Sequence, residues 1–115
     1  MEAERVARLA SAAAQDKKAI DVLALDMRPF LAIVDYFVIA SGTSTVHTRA
    51  IAQEVEERLA REGVRPARRE GTRDGRWVLL DYGGVVVHIF HEEERDYYNL
   101  ERYWQAAERL DLVHA

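Results

Sequence analysis

The sequence contains no cysteine, which excludes disulfides, thiol catalysis and thiolate metal sites together. It also lacks an apolar run of membrane-spanning length, so no membrane partner is expected. The amino terminus, MEAERVARLASAAAQ, places acids inside a helical pattern, unlike a secretory or organellar presequence, and the cytoplasm is the default location. An excess of positive charge is missing as well. Lys+Arg 16 against Asp+Glu 20 leaves a net charge of -4, which gives no overall reason to expect nucleic acid, although local patches can still exist. What is present, 49% hydrophobic and 31% charged residues over 115 positions, is the composition of a soluble globular protein with one core, hence a single domain over 1–115.

The most informative stretch is Arg76 to His91, RWVLLDYGGVVVHIFH, in which two β-rich runs flank Gly83 and Gly84. Gly-Gly supplies the positive φ angles of a two-residue hairpin turn. Counting outward, Tyr82 opposes Val85, Asp81 opposes Val86, Leu79 opposes His88 and Trp77 opposes Phe90. Opposed residues share a face, so Val78, Leu80, Tyr82, Val85, Val87 and Ile89 form a core face. The other face carries Trp77, Leu79, Asp81, Val86, His88 and Phe90, a mixture of large aromatics with two ionisable groups. Two readings of that face stay open. It is an exposed recognition surface, or a second helical layer covers it with Asp81 and His88 hydrogen-bonded inside.

Taken in order, the chain begins with an Ala-rich amphipathic helix from Glu2 to about Gln15, followed by a loosely alternating strand, IDVLALDM. Pro29 interrupts and predicts a loop over Arg28 to Ile33. Asp35 to Gly42, DYFVIASG, reads as an interior strand covered on both faces. It ends in GTST, where Thr43 or Ser44 caps a helix whose apolar stripe is Val46, Ala50, Ile51, Val55 and Leu59, and Gly63 closes that helix. A short edge strand around Arg65 to Glu70 and a turn at Gly71 to Gly75 lead to the hairpin. This stretch is basic, with Arg61, Arg65, Arg68, Arg69, Arg73 and Arg76 against Glu62, Glu70 and Asp74. In the acidic end that follows, Leu100, Tyr103, Trp104, Ala107 and Leu110 keep helical spacing after an Asn99 cap, so the chain finishes in one helix or two short turns of helix.

Catalytic chemistry finds little support. The strand, GTS turn and helix make a weak anion cradle from Gly42, Thr43 and Ser44. A nucleotidyltransferase-like site would need a second acid beside Asp81, and Tyr82 and two glycines stand there instead. A simple helix cap explains the turn better. His47, His88, His91 and His114 lack the spacing of a metal motif, and no cofactor is expected. Asp81 and His88 share a face and could make a diagonal polar contact, but no nucleophile accompanies them. Binding is better supported, because Trp77 and Phe90, with Tyr97, Tyr98, Tyr103 and Trp104 in an acidic segment, suit a basic, flat partner surface.

From about Asp21 to Trp104 the motifs DYFVIASGTS, RAIAQEVEERL, EG, WVLLDYGGVVVHIF and R-x-x-Y-x-L-E-R-x-W occur in an order that resembles the Iojap family, the ribosomal silencing factors. The resemblance implies an α/β domain with a mixed sheet and helices packed mainly on one face, of nucleotidyltransferase-like topology without that activity. It further implies a non-enzymatic translational repressor, a keeper of ribosomes in nutrient stress. Such a repressor binds the large ribosomal subunit at ribosomal protein fourteen and sterically blocks joining of the small subunit. Matching positions and the hairpin face together nominate Trp77, Leu79, Asp81, His88 and Phe90 as the contact patch, with Tyr98, Leu100 and Glu101 at its rim. Gly84 departs from the aspartate common in the family, which removes a charge from the turn. The arginines between 61 and 76 could touch ribosomal RNA, a solvated surface being the simpler reading. Whether the free protein forms a homodimer stays open, as does the alternative of a nucleotide-binding or nucleotidyltransferase-like enzyme using Gly42, Thr43, Ser44 and Asp81.

Overall fold

A computed structural model describes residues 1–112, and His114 lies outside the described residues. The elements run α1 (Ala3–Asp16), β1 (Ile20–Asp26), β2 (Tyr36–Gly42), α2 (Thr45–Arg61), β3 (Arg68–Glu70), β4 (Trp77–Asp81), β5 (Val85–His91), α3 (Glu92–Tyr98) and α4 (Leu100–Tyr103). The five strands form one sheet in the order β1-β2-β5-β4-β3. β2 and β5 are parallel and the other pairs antiparallel, so the sheet is mixed, with α2, β3 and β4 forming the crossover between its two parallel strands.

The hairpin has the expected register, with Trp77 opposite Phe90, Leu79 opposite His88 and Asp81 opposite Val86. Tyr82 N–H donates to Val85 O across the turn at 2.8 Å. Of the two turn glycines only Gly83 takes a positive φ, 83°. The Gly84 carbonyl instead accepts from the backbone of Asp35 and Tyr36 and fastens the turn to the start of β2. A Cβ at Gly84 would lie 3.7 Å from Asp35 Oδ2, so an aspartate there would meet a like charge in this chain.

Alternation along the strands sends Val78, Leu80, Val85, Val87 and Ile89 to one face, where they are fully buried beneath α1 and α2 with Tyr36, Val38 and Ala40 of β2. Helix α1 contributes Ala7, Ala10, Ala13 and Ala14 to this contact. Such small side chains let its backbone approach the sheet and α2 closely. From α2 the buried residues are Thr48, Ile51, Ala52, Val55 and Leu59. Val46, expected in that stripe, is 67% exposed, because at 100° per residue it lies on the side of α2 opposite Val55. Strand β1 alternates loosely because its register slips between Ile20 and Leu23, around Asp21 at φ 49°.

The carboxy-terminal end differs from expectation. A helix, α3, precedes Asn99 and only the single turn of α4 follows it, and Asn99 itself adopts φ 47°, ψ 55° at the junction without a side-chain cap bond. Asn is tolerated in this left-handed conformation as well as at helix starts, so its type alone cannot choose between the two roles. Beyond α4 the chain runs extended along β1. Asp26 N–H donates to Glu108 O, Leu110 N–H donates to Ala24 O, and Leu25 pairs with Arg109. One edge of the sheet is thereby covered, while the other edge, β3, is exposed at all three residues.

Candidate functional site

The second face of the sheet holds a smaller cluster of Leu25, Met27, Ile39, Phe90 and Ala107, with Leu23, Leu31, Phe37, Trp77, Leu100 and Trp104 partly buried around it. The returning tail, α4 and the loop after β1 cover only part of this face, so both readings of it hold in part. Phe90 is fully buried and His88 is 5% exposed. Both side chains are closed off from solvent, where an exposed face was one of the two readings. The two rings are closed in by one another and by Phe37, Trp77 and Tyr98, while the returning tail pairs with β1 at the far edge and the β4 side is left more open. Trp77, Leu79 and Asp81 are half-buried there, and Tyr98 is 51% exposed beside them.

Aromatic rings run across the face in an unbroken chain. Phe30 lies 5.8 Å from Trp104, Trp104 6.3 Å from Phe37, and Phe37 4.9 Å from His88 in an edge-on contact. His88 lies 6.0 Å from Trp77, and Trp77 packs at 4.8 Å on both Phe90 and Tyr98. These separations are those of favourable ring pairs. Phe30, 43% exposed in the loop after β1, enters this face without any periodic signal in the sequence.

The indole of Trp77 is held in place by its Nε1–H, which donates to His88 Nδ1 at 3.1 Å. A ring nitrogen that accepts carries no proton, so the His88 proton resides on Nε2, which is buried without a hydrogen-bond partner. Burial lowers the His88 pKa to about 4, and the ring is neutral at neutral pH. The diagonal contact between Asp81 and His88 is not made. Asp81 Oδ1 instead accepts from Gly83 N–H at 2.8 Å, and Oδ2 faces Arg68 at 3.7 Å.

The remaining nominated residues serve the frame around the face. Leu100 is half-buried in the second cluster. Glu101 is bound by Arg95 at 2.7 and 2.8 Å. The Arg95 guanidinium also donates to Ser41 Oγ, Ile20 O and Asp21 O, and so ties α3 to β1 and β2. Arg95 was invisible as a structural residue in the sequence, since within EEERD it resembles a solvated charge.

The GTS turn folds as a capped helix start. Ser44 Oγ accepts from His47 N–H at 3.0 Å, while the Thr43 N–H that an anion would need donates to His47 Nδ1 at 3.0 Å. His47 Nε2 in turn bonds Lys17 O at 2.7 Å, which anchors the end of α1. A Cβ at Gly42 would lie 2.9 Å from Thr48, so glycine is required there for the close approach of strand and helix. Asp81 is in register with Val86, and Val86 with Phe37. Five residues of strand, roughly 16 Å, separate Phe37 from Gly42. Gly42, Thr43 and Ser44 therefore do not share a site with Asp81.

Comparison with known proteins agrees with this picture. The family described as "Ribosomal silencing factor during starvation" matches residues 1–115. Ribosomal silencing factor RsfS of Bacillus subtilis is 44% identical over 112 residues, covering 97% of this chain and 95% of that protein. The chloroplastic protein Iojap of Arabidopsis thaliana is 31% identical over 99 residues, 86% of this chain and 41% of the plant protein. Among solved structures, a crystal structure of a Chromobacterium violaceum protein superposes with a TM-score of 0.88 at 32% identity, covering 100% of this chain and 95% of the other. A Bacillus halodurans structure gives 0.83 at 41% identity, covering 95% and 99%. The chain belongs to the ribosomal silencing factor family.

Proposed function

We propose that this protein represses translation by docking the half-covered face of its sheet on the large ribosomal subunit at ribosomal protein fourteen. Occupying the surface that meets the small subunit blocks subunit joining and lowers translation when nutrients are limiting. The observation that carries this reading is the ring-lined face around Trp77, Leu79 and Tyr98, which is only partly covered. Aromatic residues with few rotatable bonds lose little entropy on docking and are enriched at interface hot spots. Steric exclusion needs no catalytic group, and the protein acts in the cytoplasm as a binder rather than an enzyme.

Three arginines of the basic stretch are engaged internally, Arg68 with Asp81, Arg69 with Glu56 and Arg76 with Glu94. A peripheral contact with ribosomal RNA therefore falls to Arg61, Arg65 and Arg73. In the free protein the same apolar face serves a homodimer, which docking would displace, and sedimentation equilibrium of the free protein tests that.

Co-sedimentation with cognate large subunits in a sucrose gradient tests the docking itself. Wild type is expected to travel with the subunits, and folded Trp77→Ala and Asp81→Ala variants to remain near the top. Wild type that fails to co-sediment at moderate salt would overturn the reading.

A further inference from the structure

Beside the aromatic chain, at the exposed β3 edge, Glu70, Trp77 and Leu79 line a shallow pocket of about 300 Å³. Its parts are held in position by backbone and side-chain bonds. Glu70 pairs with Leu79 in the ladder, so their side chains leave the sheet on the same face. The chain then turns at Gly71, with φ 74°, and a Cβ there would lie 1.9 Å from the Trp77 carbonyl oxygen. Only glycine permits so close a passage, and the passage brings Glu70 next to Trp77. The indole wall is fixed by the His88 bond and by packing on Phe90 and Tyr98.

The charge in this pocket is unspent. Asp81, the next acid along the face, is occupied by Gly83 N–H and Arg68. Glu70 is exposed, and among the described residues its carboxylate makes no ion pair or hydrogen bond. An unpaired carboxylate beside an indole and a leucine matches an amphipathic cation, whose methylene stem lies on the apolar surface while its charged head meets the carboxylate. A nucleic-acid phosphate is disfavoured by the same carboxylate.

We propose that Glu70, Trp77 and Leu79 form a receptor for one lysine or arginine side chain on the protein surface of the docking partner. This rests on the docking reading above and adds to it the chemistry of one contact. Glu70 gives the pocket its preference for a cation, Trp77 and Leu79 bind the stem, and His88 and Gly71 keep the pocket formed before the partner arrives.

The test measures the affinity of the full chain for purified cognate large subunits at low and moderate salt. Wild type is compared with Glu70→Gln, Glu70→Lys and Trp77→Ala, and with Glu57→Lys on the exposed side of α2 as a control of equal charge change. Glu70→Lys is expected to weaken binding about tenfold at low salt and less at higher salt, and Glu70→Gln about threefold. Glu57→Lys should stay within about twofold, the range of a rim charge. If Trp77→Ala loses binding while Glu70→Lys matches Glu57→Lys, the cation receptor is wrong and the docking face stands. Tighter binding by Glu70→Lys would mean that phosphate faces the pocket, which also overturns the receptor. Absence of wild-type binding removes the docking reading and the receptor with it.

Discussion

The two faces of the sheet are built from the same five strands but from different materials. Under α1 and α2 lie aliphatic side chains, and Val78, Leu80, Val87 and Ile89 there are 0% exposed. Across the sheet, Leu25, Met27 and Ile39 share the face with the rings of Phe37, Trp77, Phe90 and Trp104, the two tryptophans carrying an indole N–H, and Trp77 on β4 is only half-buried. An aliphatic face contributes by losing contact with water, whatever its neighbours' orientation. Rings with an N–H or a basic nitrogen contribute by orientation as well, so they can remain at a boundary with solvent and still be ordered. One face stabilises the fold and the other is prepared for contact.

Leu79 and Leu80 are consecutive residues on opposite faces, and they separate these roles most sharply. Leu80→Ala should cost about 3 kcal/mol, since it opens a cavity in the closed layer. For a chain of this size that lowers the melting temperature by about 10 °C or more, readable by calorimetry. Leu79→Ala should cost about 1 kcal/mol or less, yet weaken sedimentation with large subunits. Equal losses of stability in the two variants would show that the second face is as closed as the first.

The closed face was legible in the sequence, and the open one only in outline. Gly83 and Gly84 mark the turn, and from there strict alternation decides every residue up to Trp77 and Phe90, because a hairpin register is a local property. What covers the second face depends on where residues 99–112 return, and no local pattern encodes that path. Phe90 and His88 were therefore expected at the surface with Trp77, whereas the tail seats itself along β1 and the rings of Phe37, Trp77 and Tyr98 close over the two β5 side chains. Arg95 shows the same limit. Its burial is set by the meeting of α3 with the irregular start of β1, two segments about 75 residues apart. Val46 was misplaced by phase, since it lies on the side of α2 opposite Val55 and the rest of the buried stripe.

A second comparison uses pH. The His88 pKa falls on folding from the ordinary 6.5 to about 4, through burial. Between those values the unfolded chain binds a proton that the folded one does not. Stability is therefore unaffected by this group above about pH 6.5, falls as pH drops below it, and levels off near pH 4. At pH 5 the loss amounts to about 2 kcal/mol. Urea unfolding at pH 7.5 and pH 5 should show this in wild type and not in His88→Gln, whose amide can still accept from Trp77. Other titrating groups are common to both proteins and cancel in the difference. The closed face contributes no comparable slope, because its buried side chains are almost all unable to ionise.

The smallest expected effect concerns the bond between Trp77 and His88. Trp77→Phe keeps a ring on Phe90 and Tyr98 but removes the N–H, leaving His88 Nδ1 without its donor in a buried position. A lost hydrogen bond of this kind costs about 1 kcal/mol. Its more specific consequence is on the tautomer. With Trp77 present, Nδ1 must accept, so the proton is confined to Nε2, although that atom has no partner of its own. Without the indole N–H, nothing penalises a proton on Nδ1, and both tautomers become populated. Nitrogen NMR of labelled His88 should show a single Nε2-protonated ring in wild type and an averaged pair of shifts in Trp77→Phe. Identical spectra would mean that packing against Phe37 and Phe90, rather than the hydrogen bond, orders the face, and the distinction between an aliphatic layer and an oriented one would then weaken.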